Sequence, residues 1–306
     1  MGTHLLDLEH LGRGRVIGSF LLEGAEPALV DCGPASCLDG LRAGLAAHGL
    51  EVGDLRHLVL THVHLDHAGA AGTLARENPG LLVHVSEIGA PHVVDPSRLE
   101  RSARRLYGDD FDRLWGALEP VPKASVRIVG ELVLDMEAFP TPGHASHHVS
   151  FLAEDGSCFS GDATGVRIPP APYVAPVSPP PDIDVEAWER TLDAIAERRP
   201  ERLCLPHFGV VDDPPEHVWA CRAALRTWAE RAREGSEEEF VRAAEEDIRA
   251  AADAETAALF QRAGPLWQSY AGLRRYWDKN PVQDDASSPG CAGRPRGKDA
   301  GSARSG

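Results

Sequence analysis

Long apolar segments are missing from this sequence of 306 residues. No window approaches the roughly 18 to 20 consecutive apolar residues that a membrane-spanning helix needs. The first residues, MGTHLLDLEHLGRGRV, contain neither the apolar centre nor the small-residue cleavage site of a signal peptide. We therefore expect a cytoplasmic protein without a membrane partner.

Basic residues are scarce. The chain has 31 Lys and Arg against 47 Asp and Glu, which gives a formal net charge of −16. Nucleic acids and anionic membrane surfaces bind clustered Lys and Arg, so neither is an expected partner. The expected substrate is a small molecule, and the acidic charge does not exclude an anionic one, because a bound metal can override that charge locally.

Two reactive patterns are absent from the sequence. It has no Gly-x-Ser-x-Gly motif, so we do not expect a covalent acyl-enzyme. It also has no Cys-x-x-Cys pair, which favours reduced thiols without a redox role. The six cysteines are Cys32, Cys37, Cys158, Cys204, Cys221 and Cys291.

Short apolar strands alternate with amphipathic helices along most of the chain. Strands are predicted at Gly18–Leu22, Ala28–Val30 and Leu58–Leu60, with a helix between the last two. This rhythm is typical of an α/β protein. Residues 95–118 are predicted to be a helical insert. Residues 167–181 contain too many prolines for a helix or a central strand and are predicted to be an extended loop.

One domain is predicted over residues 1–280, including the insert 95–118 and a set of C-terminal helices. Ser236-x-x-Glu239 is a capping box, and it predicts the start of a long acidic helix that ends near Gly264-Pro265. Residues 281–306 contain no aromatic residue and much Gly, Ser and Pro. This composition predicts a disordered tail.

The stretch THVHLDH, at residues 61–67, directly follows a predicted buried strand. His62 and His64 are two positions apart, so strand alternation places them on one side, where both imidazoles can bind one metal. Asp66 and His67 follow at a predicted helix start and can point to a second position nearby. His-x-His-x-Asp-His after a buried strand is typical of a metal site.

Three later turns offer further metal ligands. His144 follows Gly143 in TPGHASHH, Asp162 follows Gly161 after an apolar strand, and His207 follows Pro206 after another strand. Loops after strands gather at one edge of a sheet, so these side chains are candidates for the same site. Each turn alone would be a weak signal, and the joint occurrence is what favours a site for two metals.

The order Asp31-Cys32-Gly33, His62-x-His64-x-Asp66-His67, His144, Asp162, His207 resembles the metallo-β-lactamase superfamily. It is most similar to the hydrolase branch that includes glyoxalase II. The stretches ARRLYGDDFDRLWG and PPPDIDVEAW resemble an uncharacterised bacterial subgroup of that superfamily. The resemblance implies an α/β fold, a four-layer αβ/βα sandwich with the metals at one edge and C-terminal helices.

The resemblance also implies the role of each site residue. One metal would be held by His62, His64 and His144, and the other by Asp66, His67 and His207, with Asp162 between them. Asp31 would orient ligands, and His148 would support them. The cofactors would be two divalent metal ions, zinc before iron or manganese, which accept the same donors.

The predicted function is hydrolysis of a small ester, thioester or lactone by a metal-bridging hydroxide, with Asp66 orienting the nucleophile. One alternative is a mono-iron persulfide dioxygenase, which would need only His62, His144 and Asp162. Another is a non-catalytic metal-binding protein.

Substrate contacts are predicted from the insert and the Pro-rich loop. Tyr107, Trp115 and Tyr173 are candidates to cover the metals, with core packing as the alternative. Arg167 is a candidate for a substrate carboxylate, with a solvated loop arginine as the alternative. His147 is interpreted as a partly exposed polar side chain or, alternatively, as a contact at the pocket mouth.

Overall fold

Two sheets carry the loops that form the candidate site. The computed structural model describes residues 2–281, and the predicted disordered tail lies almost wholly outside the described residues, at 282–306. The strands in the described part are β1 Thr3–Asp7, β2 Gly18–Leu22, β3 Ala28–Val30, β4 His57–Val59, β5 Leu82–Val85, β6 Val126–Ile128, β7 Leu132–Val133, β8 Met136–Pro140, β9 Val149–Leu152, β10 Ser157–Phe159, β11 Arg202–Leu205 and β12 Gly209–Val211.

Strand direction brings the ends of five strands to common edges. The first sheet has the order β1-β2-β3-β4-β5-β6, and the second has the order β12-β11-β10-β9-β8-β7. In the first sheet β3 and β4 are parallel neighbours. In the second, β10 and β11 are parallel, and β8 shares their direction because β9 is antiparallel to both β8 and β10. The loops after β3 and β4 therefore leave one edge, and the loops after β8, β10 and β11 leave another.

Side-chain alternation builds a core between the two sheets. Phe20, Val30 and Val59 of the first sheet share a buried cluster with Phe151 and Phe159 of the second. The rings of Phe20 and Phe159 meet edge to face, with their centroids 5.4 Å apart. Burial of these large apolar side chains is the main force that holds the sheets together.

Helices cover the outer faces. They are α1 Leu38–Ala47, α2 Leu65–Ala68, α3 Ala71–Glu77, α4 Ala90–Val94, α5 Ser97–Tyr107, α6 Phe111–Trp115, α7 Val185–Glu197, α8 Pro214–Glu234, α9 Glu237–Ala251, α10 Ala254–Ala263 and α11 Leu266–Lys279. Leu21 and Leu58, on the opposite side of their strands from the inter-sheet core, share a buried cluster with Leu41 of α1. Leu203 and Leu205 belong to the same cluster, together with residues of α7 and α8. This is the predicted αβ/βα sandwich with C-terminal helices.

Helix boundaries differ from the prediction at two places. The acidic helix begins at the predicted Ser236 capping box, but it is two helices, α9 and α10. The Asp253 side chain accepts the Thr256 N–H at 2.7 Å and so starts α10. The helix predicted to start at Asp66 and His67 begins slightly earlier, since α2 starts at Leu65, inside the THVHLDH stretch.

The insert and the Pro-rich loop have the predicted character. In the insert, α5 and α6 are joined by a 3-10 turn and bury Phe111 against Leu65 of α2. Residues 167–181 contain no helix or strand, and Ala175 forms an isolated bridge with Val166. Five cysteines are buried and free, and Cys291 lies outside the described residues. None of the helices within residues 2–281 combines the length and apolarity needed to cross a bilayer.

Candidate metal centre

All seven predicted ligands lie in loops or helix starts that follow strands. His62, His64, Asp66 and His67 follow β4; His144, Asp162 and His207 follow β8, β10 and β11. They form two groups that could each hold an ion. Within a group, one potential ligand atom per residue lies within 4.8 Å of all the others. Each group draws residues from both sheets.

The first group consists of three imidazoles. His64 Nδ1 lies 3.0 Å from His62 Nε2 and 3.0 Å from His144 Nε2. His62 and His144 are buried, whereas His64 is partly exposed. Three nitrogen donors leave at least one position open to solvent or substrate in a four-coordinate site.

The second group contains two carboxylates and two imidazoles. His67 Nε2 lies 3.4 Å from Asp162 Oδ1 and 3.7 Å from Asp66 Oδ2. His207 Nε2 lies 3.5 Å from Asp66 Oδ2. Atoms bound about 2.0 to 2.2 Å from one ion in a tetrahedral site stand at separations of this size.

Asp162 lies between the two groups. Its Oδ1 faces His67 of the second group, and its Oδ2 lies 3.4 Å from His144 Nε2 of the first. One carboxylate therefore offers one oxygen to each group, which is the arrangement expected for a bridging ligand.

Outer hydrogen bonds fix which nitrogen of each imidazole faces inward. His67 Nδ1–H donates to Asp31 Oδ2 at 2.9 Å, His144 Nδ1–H to the Val177 carbonyl at 2.8 Å, and His207 Nδ1–H to the Val16 carbonyl at 2.5 Å. Because the outer nitrogen keeps the proton in a neutral imidazole, the inner nitrogen presents a lone pair.

Asp31 also controls His62 through a hydroxyl. The Thr61 hydroxyl donates to Asp31 Oδ2 at 2.8 Å, and the Thr61 N–H donates to Asp31 Oδ1 at 2.8 Å. With its proton committed, the Thr61 oxygen accepts from His62 Nδ1, 3.1 Å away. Asp31 is thus linked to one imidazole in each group, directly to His67 and through Thr61 to His62.

The inner atoms fit a cation. His67 Nε2, Asp162 Oδ1 and His207 Nε2 are buried and have no hydrogen-bond partner. In the first group the three inner nitrogens share at most one hydrogen, on His64, because His62 and His144 carry theirs on the outer side. Buried polar atoms without partners are costly, and an ion coordinated by these lone pairs removes that cost.

The pKa values of the imidazoles differ between the two groups because burial and neighbouring charges act differently on them. Burial, reinforced by the neighbouring imidazoles, lowers the pKa of His62 and of His64 well below the ordinary value. Burial also lowers the pKa of His144. These three side chains are therefore neutral at pH 7, the form that binds metal.

In the second group the pKa values of the imidazoles are raised instead of lowered. Burial alone would lower the pKa of His67, but Asp162 and Asp66 outweigh it and raise that pKa well above its ordinary value. The pKa of His207 is raised for the same reason, again against the effect of burial. Burial opposes ionisation of Asp66 and Asp162, yet the adjacent imidazoles hold the pKa of both carboxyls below the usual range. The carboxylates thus need positive charge beside them.

Two glycines let other residues press against the ligand turns. Gly161 has φ +50°, and a Cβ there would lie 2.5 Å from His148 Nε2 and 2.7 Å from Thr61 Oγ1. Gly143 has φ +133°, and its Cβ would collide with the backbone of Trp188. Only glycine suits both the conformation and the space.

His148 supports the Asp162 turn. Its Nε2 accepts the Asp162 N–H at 3.2 Å, and its Nδ1 pairs with the Thr141 hydroxyl at 2.8 Å. His147 is buried, with 8% of its surface exposed, so the interpretation as a partly exposed side chain is wrong. Its ring lies 5.7 Å from that of His64 and 6.1 Å from that of His62.

The predicted substrate contacts separate into two sets. Tyr107 and Trp115 pack near Leu65, which stands between the ligand residues His64 and Asp66 in the sequence. The rings of Tyr107 and Trp115 lie 5.1 Å apart. Tyr173 packs with the C-terminal helices: its hydroxyl accepts from Trp228 Nε1 at 3.1 Å, and its ring lies 5.9 Å from that of Phe260. These contacts are those of a core residue.

Arg167 begins next to a ligand. Its N–H donates to the His207 carbonyl at 2.8 Å, and its own carbonyl accepts the Phe208 N–H at 2.9 Å. The residue is partly exposed, and its charge adds to the larger effect of burial in lowering the pKa of His217.

Sequence reasoning missed residues that hold the ligand turns from a distance. Trp188 of α7 donates its indole N–H to the Ala163 carbonyl at 2.7 Å, and His217 of α8 donates to the Thr164 carbonyl at 2.9 Å. Both carbonyls belong to the turn that carries Asp162. The sequence places Trp188 on an amphipathic helix face, but nothing in that pattern connects it with this turn.

A family comparison agrees with the geometry. The profile described as "Metallo-beta-lactamase superfamily" matches residues 13–207, which include both ligand groups. The chain belongs to the metallo-β-lactamase superfamily.

Individual curated proteins show a more limited similarity to this chain. The metallo-beta-lactamase fold-containing protein ST1585 of Sulfurisphaera tokodaii is 28% identical over 51% of this chain and 62% of its own. The uncharacterised protein YobT of Bacillus subtilis is 31% identical over 37% of this chain and 48% of its own. The matched stretches thus span less than two thirds of these relatives.

Solved structures of the superfamily share the fold. The ST1585 structure has a TM-score of 0.64 at 21% identity, covering 89% of this chain and 98% of its own. The family protein TTHA1429 of Thermus thermophilus has a TM-score of 0.67 at 21% identity, covering 91% and 94%. At such identities the likeness concerns the fold alone.

Proposed function

We propose that this protein is a metal-dependent hydrolase that acts on a small ester, thioester or lactone and uses two divalent metal ions. The observation that carries the proposal is the position of Asp162, with one oxygen directed to each of two ligand groups. A protein that bound a single ion would need only one complete group. The membership in the metallo-β-lactamase superfamily supports the same reaction class.

The residues divide between the ions as follows. His62, His64 and His144 would hold one ion, and Asp66, His67 and His207 would hold the other, with Asp162 shared. Imidazole and carboxylate donors favour zinc, although iron and manganese accept the same set. When bound, such ions lower the pKa of water toward neutrality and polarise a carbonyl oxygen.

Asp66 is suited to orient the attacking water. The adjacent imidazoles keep its pKa low against the effect of burial, so it is an ionised hydrogen-bond acceptor at neutral pH. Its side chain is 19% exposed, more than that of the other carboxylate, Asp162, at 5%. A water in contact with the partly exposed Asp66 can donate one proton to it while its lone pair points toward the substrate.

Substrate reaches the centre from one side. Among the seven ligand residues only His64 and Asp66 are partly exposed, so the acyl group approaches over them. Leu65 separates these two residues and packs with Tyr107 and Trp115 of the insert. The partly exposed rings of Tyr107 and Trp115, packed against the buried Leu65, support a small substrate with an apolar acyl or alcohol part.

The proposal is tested by measuring metal content and hydrolysis together. Elemental analysis of protein purified without added metal should give about two divalent ions per chain, and the protein should cleave members of a thioester and lactone panel. The Asp162→Asn variant should lose at least one ion and fall at least about 100-fold in kcat/KM, since it removes a charge from both groups.

Asp155→Asn is the matched control, because Asp155 is an exposed turn residue before β10. This control variant should keep its metal content and its kcat/KM. One iron per chain with oxygen uptake on a persulfide would contradict the hydrolase and favour the dioxygenase. A metal-free protein that takes up no ion would contradict both.

A further inference from the structure

Three metal-binding side chains also meet away from the candidate metal centre. His4 lies on β1, Glu23 directly follows β2, and His48 directly follows α1. His4 Nε2 is 3.0 Å from Glu23 Oε2, and His48 Nδ1 is 3.1 Å from Glu23 Oε1. One ligand atom from each residue lies within 4.8 Å of the other two. We call this set the N-terminal triad.

Two observations indicate that the triad is shaped for more than an ion pair. His4 Nε2 is buried and has no hydrogen-bond partner, although Glu23 Oε2 lies 3.0 Å away. Gly2 covers the pair: a Cβ there would stand 2.8 Å from Glu23 Oε2 and 3.0 Å from His4 Nε2. The glycine leaves space directly beside both donor atoms.

Backbone pairing holds the three donors in place. The Glu23 N–H donates to the Gly2 carbonyl at 2.8 Å, and Thr3 and His4 pair with Leu22 and Leu21 in the β1–β2 ladder. The two histidine rings have centroids 4.3 Å apart. The donor atoms therefore need small side-chain rotations, and no backbone movement, to converge on one point.

We propose that the N-terminal triad binds one divalent transition-metal ion, with zinc as the ion that best fits two imidazole nitrogens and one carboxylate oxygen. Such an ion lies about 2.0 to 2.2 Å from each donor and completes its coordination with water. The three side chains are 25% to 42% exposed, so the ion can enter from solvent. The proposal does not depend on the hydrolase activity.

The bound ion would join three elements at one edge of the first sheet. β1 is the edge strand and pairs only with β2 in that sheet. A ligand from β1, one from the end of β2 and one from the end of α1 would fix the strand to the helix that covers it. Because the unfolded chain lacks this arrangement, the ion stabilises the folded state.

The test compares ion uptake by the whole protein and its variants. Each protein is loaded with Zn²⁺, desalted and analysed for zinc per chain. His4→Asn/His48→Asn and, separately, Glu23→Gln should each bind one zinc fewer than the unchanged protein and lose part of its zinc-dependent rise in Tm. Glu26→Gln, the same change at an exposed residue near Glu23, should bind as much zinc as the unchanged protein and show the same zinc-dependent rise in Tm.

A second variant separates this site from the catalytic one. His62→Asn/His144→Asn/Asp162→Asn/His207→Asn, which removes donors from both groups of the candidate metal centre, should still bind Cu²⁺ at the triad, with an electron paramagnetic resonance signal that contains coupling to two nitrogens. Adding His4→Asn/His48→Asn should abolish that signal. Equal zinc content in the unchanged protein and in the triad variants, with unaltered Cu²⁺ spectra, would overturn the proposal.

Discussion

At Gly161 the backbone touches two side chains on which the candidate metal centre depends. His148 accepts the N–H of Asp162, and Thr61 links His62 to Asp31. The small residue therefore determines how closely the turn after β10 approaches the loop after β4. A larger residue would move both contacts at once.

We expect Gly161→Ala to destabilise the protein by about 1 to 3 kcal/mol and to weaken metal binding at least tenfold, because its φ of +50° is strained for alanine and the Cβ meets His148. Urea denaturation and metal competition with a chelator measure the two effects. Gly130→Ala is the control, since a Cβ at Gly130 meets no atom within 4 Å. If both variants behaved like the unchanged protein, the close contact would have no energetic role.

At the scale of elements, α7 and α8 act on the turn that carries Asp162 although neither supplies a ligand. Trp188 and His217 donate to adjacent carbonyls of that turn. His217 is buried, and burial together with the charge of Arg167 lowers its pKa to about 4. The hydrogen bond to Thr164 counteracts only part of this shift.

This shift predicts a pH-dependent contribution to stability. The unfolded histidine has a pKa of about 6.5, so the neutral His217 contributes fully above that pH, and the contribution is lost as the pH falls toward about 4. His217→Gln keeps an N–H donor but does not titrate. Between pH 7 and pH 4, we expect the metal-free variant to lose up to about 3 kcal/mol less stability than the metal-free unchanged protein. If urea denaturation showed the same loss of stability in both proteins across this pH range, the assignment of the pH dependence to His217 would be contradicted.

The sequence predicted the elements that carry the ligands, but it did not predict the hydrogen bonds by which α7 and α8 brace the Asp162 turn. His62 is recognisable from the His-x-His-x-Asp-His pattern, and His144 and Asp162 are recognisable from the glycine that precedes each of them. Trp188 and His217 are not, because an apolar helix face predicts burial without naming its partner. The division into α9 and α10 was missed for a related reason: Asp253 looks like another acidic surface residue until its carboxylate is found capping a helix.

At the scale of the whole molecule, the two ligand groups lie at the same edge of the sandwich but differ in charge. The first contains three neutral imidazoles, and the second contains imidazoles whose pKa is raised by carboxylates. Ion binding at the second group must therefore displace protons near neutral pH, whereas binding at the first need not. The number of ions per molecule should depend on pH for this reason.

We expect the second group to lose its ion first as the pH falls from about 8 to about 6, because protons compete there with the metal. In samples dialysed at each pH, elemental analysis should find that the ion content of this centre falls from about two per chain toward one. The measurement uses a triad variant such as Glu23→Gln, so that the N-terminal triad contributes no ion. Calorimetry in buffers of different ionisation enthalpy should detect more proton release for the second ion. Simultaneous loss of both ions, with equal proton release, would contradict this order.

Each ligand group takes residues from both sheets, and this makes ion affinity a property of their docking. The part of the chain up to β6 carries His62 and His64 of one group and Asp66 and His67 of the other; the remaining donors follow β8, β10 and β11. Neither half of the chain has a complete coordination sphere by itself. An ion at this edge would hold the two sheets in one relative position. A shift of one sheet against the other by a single residue would remove donors from both ion positions together.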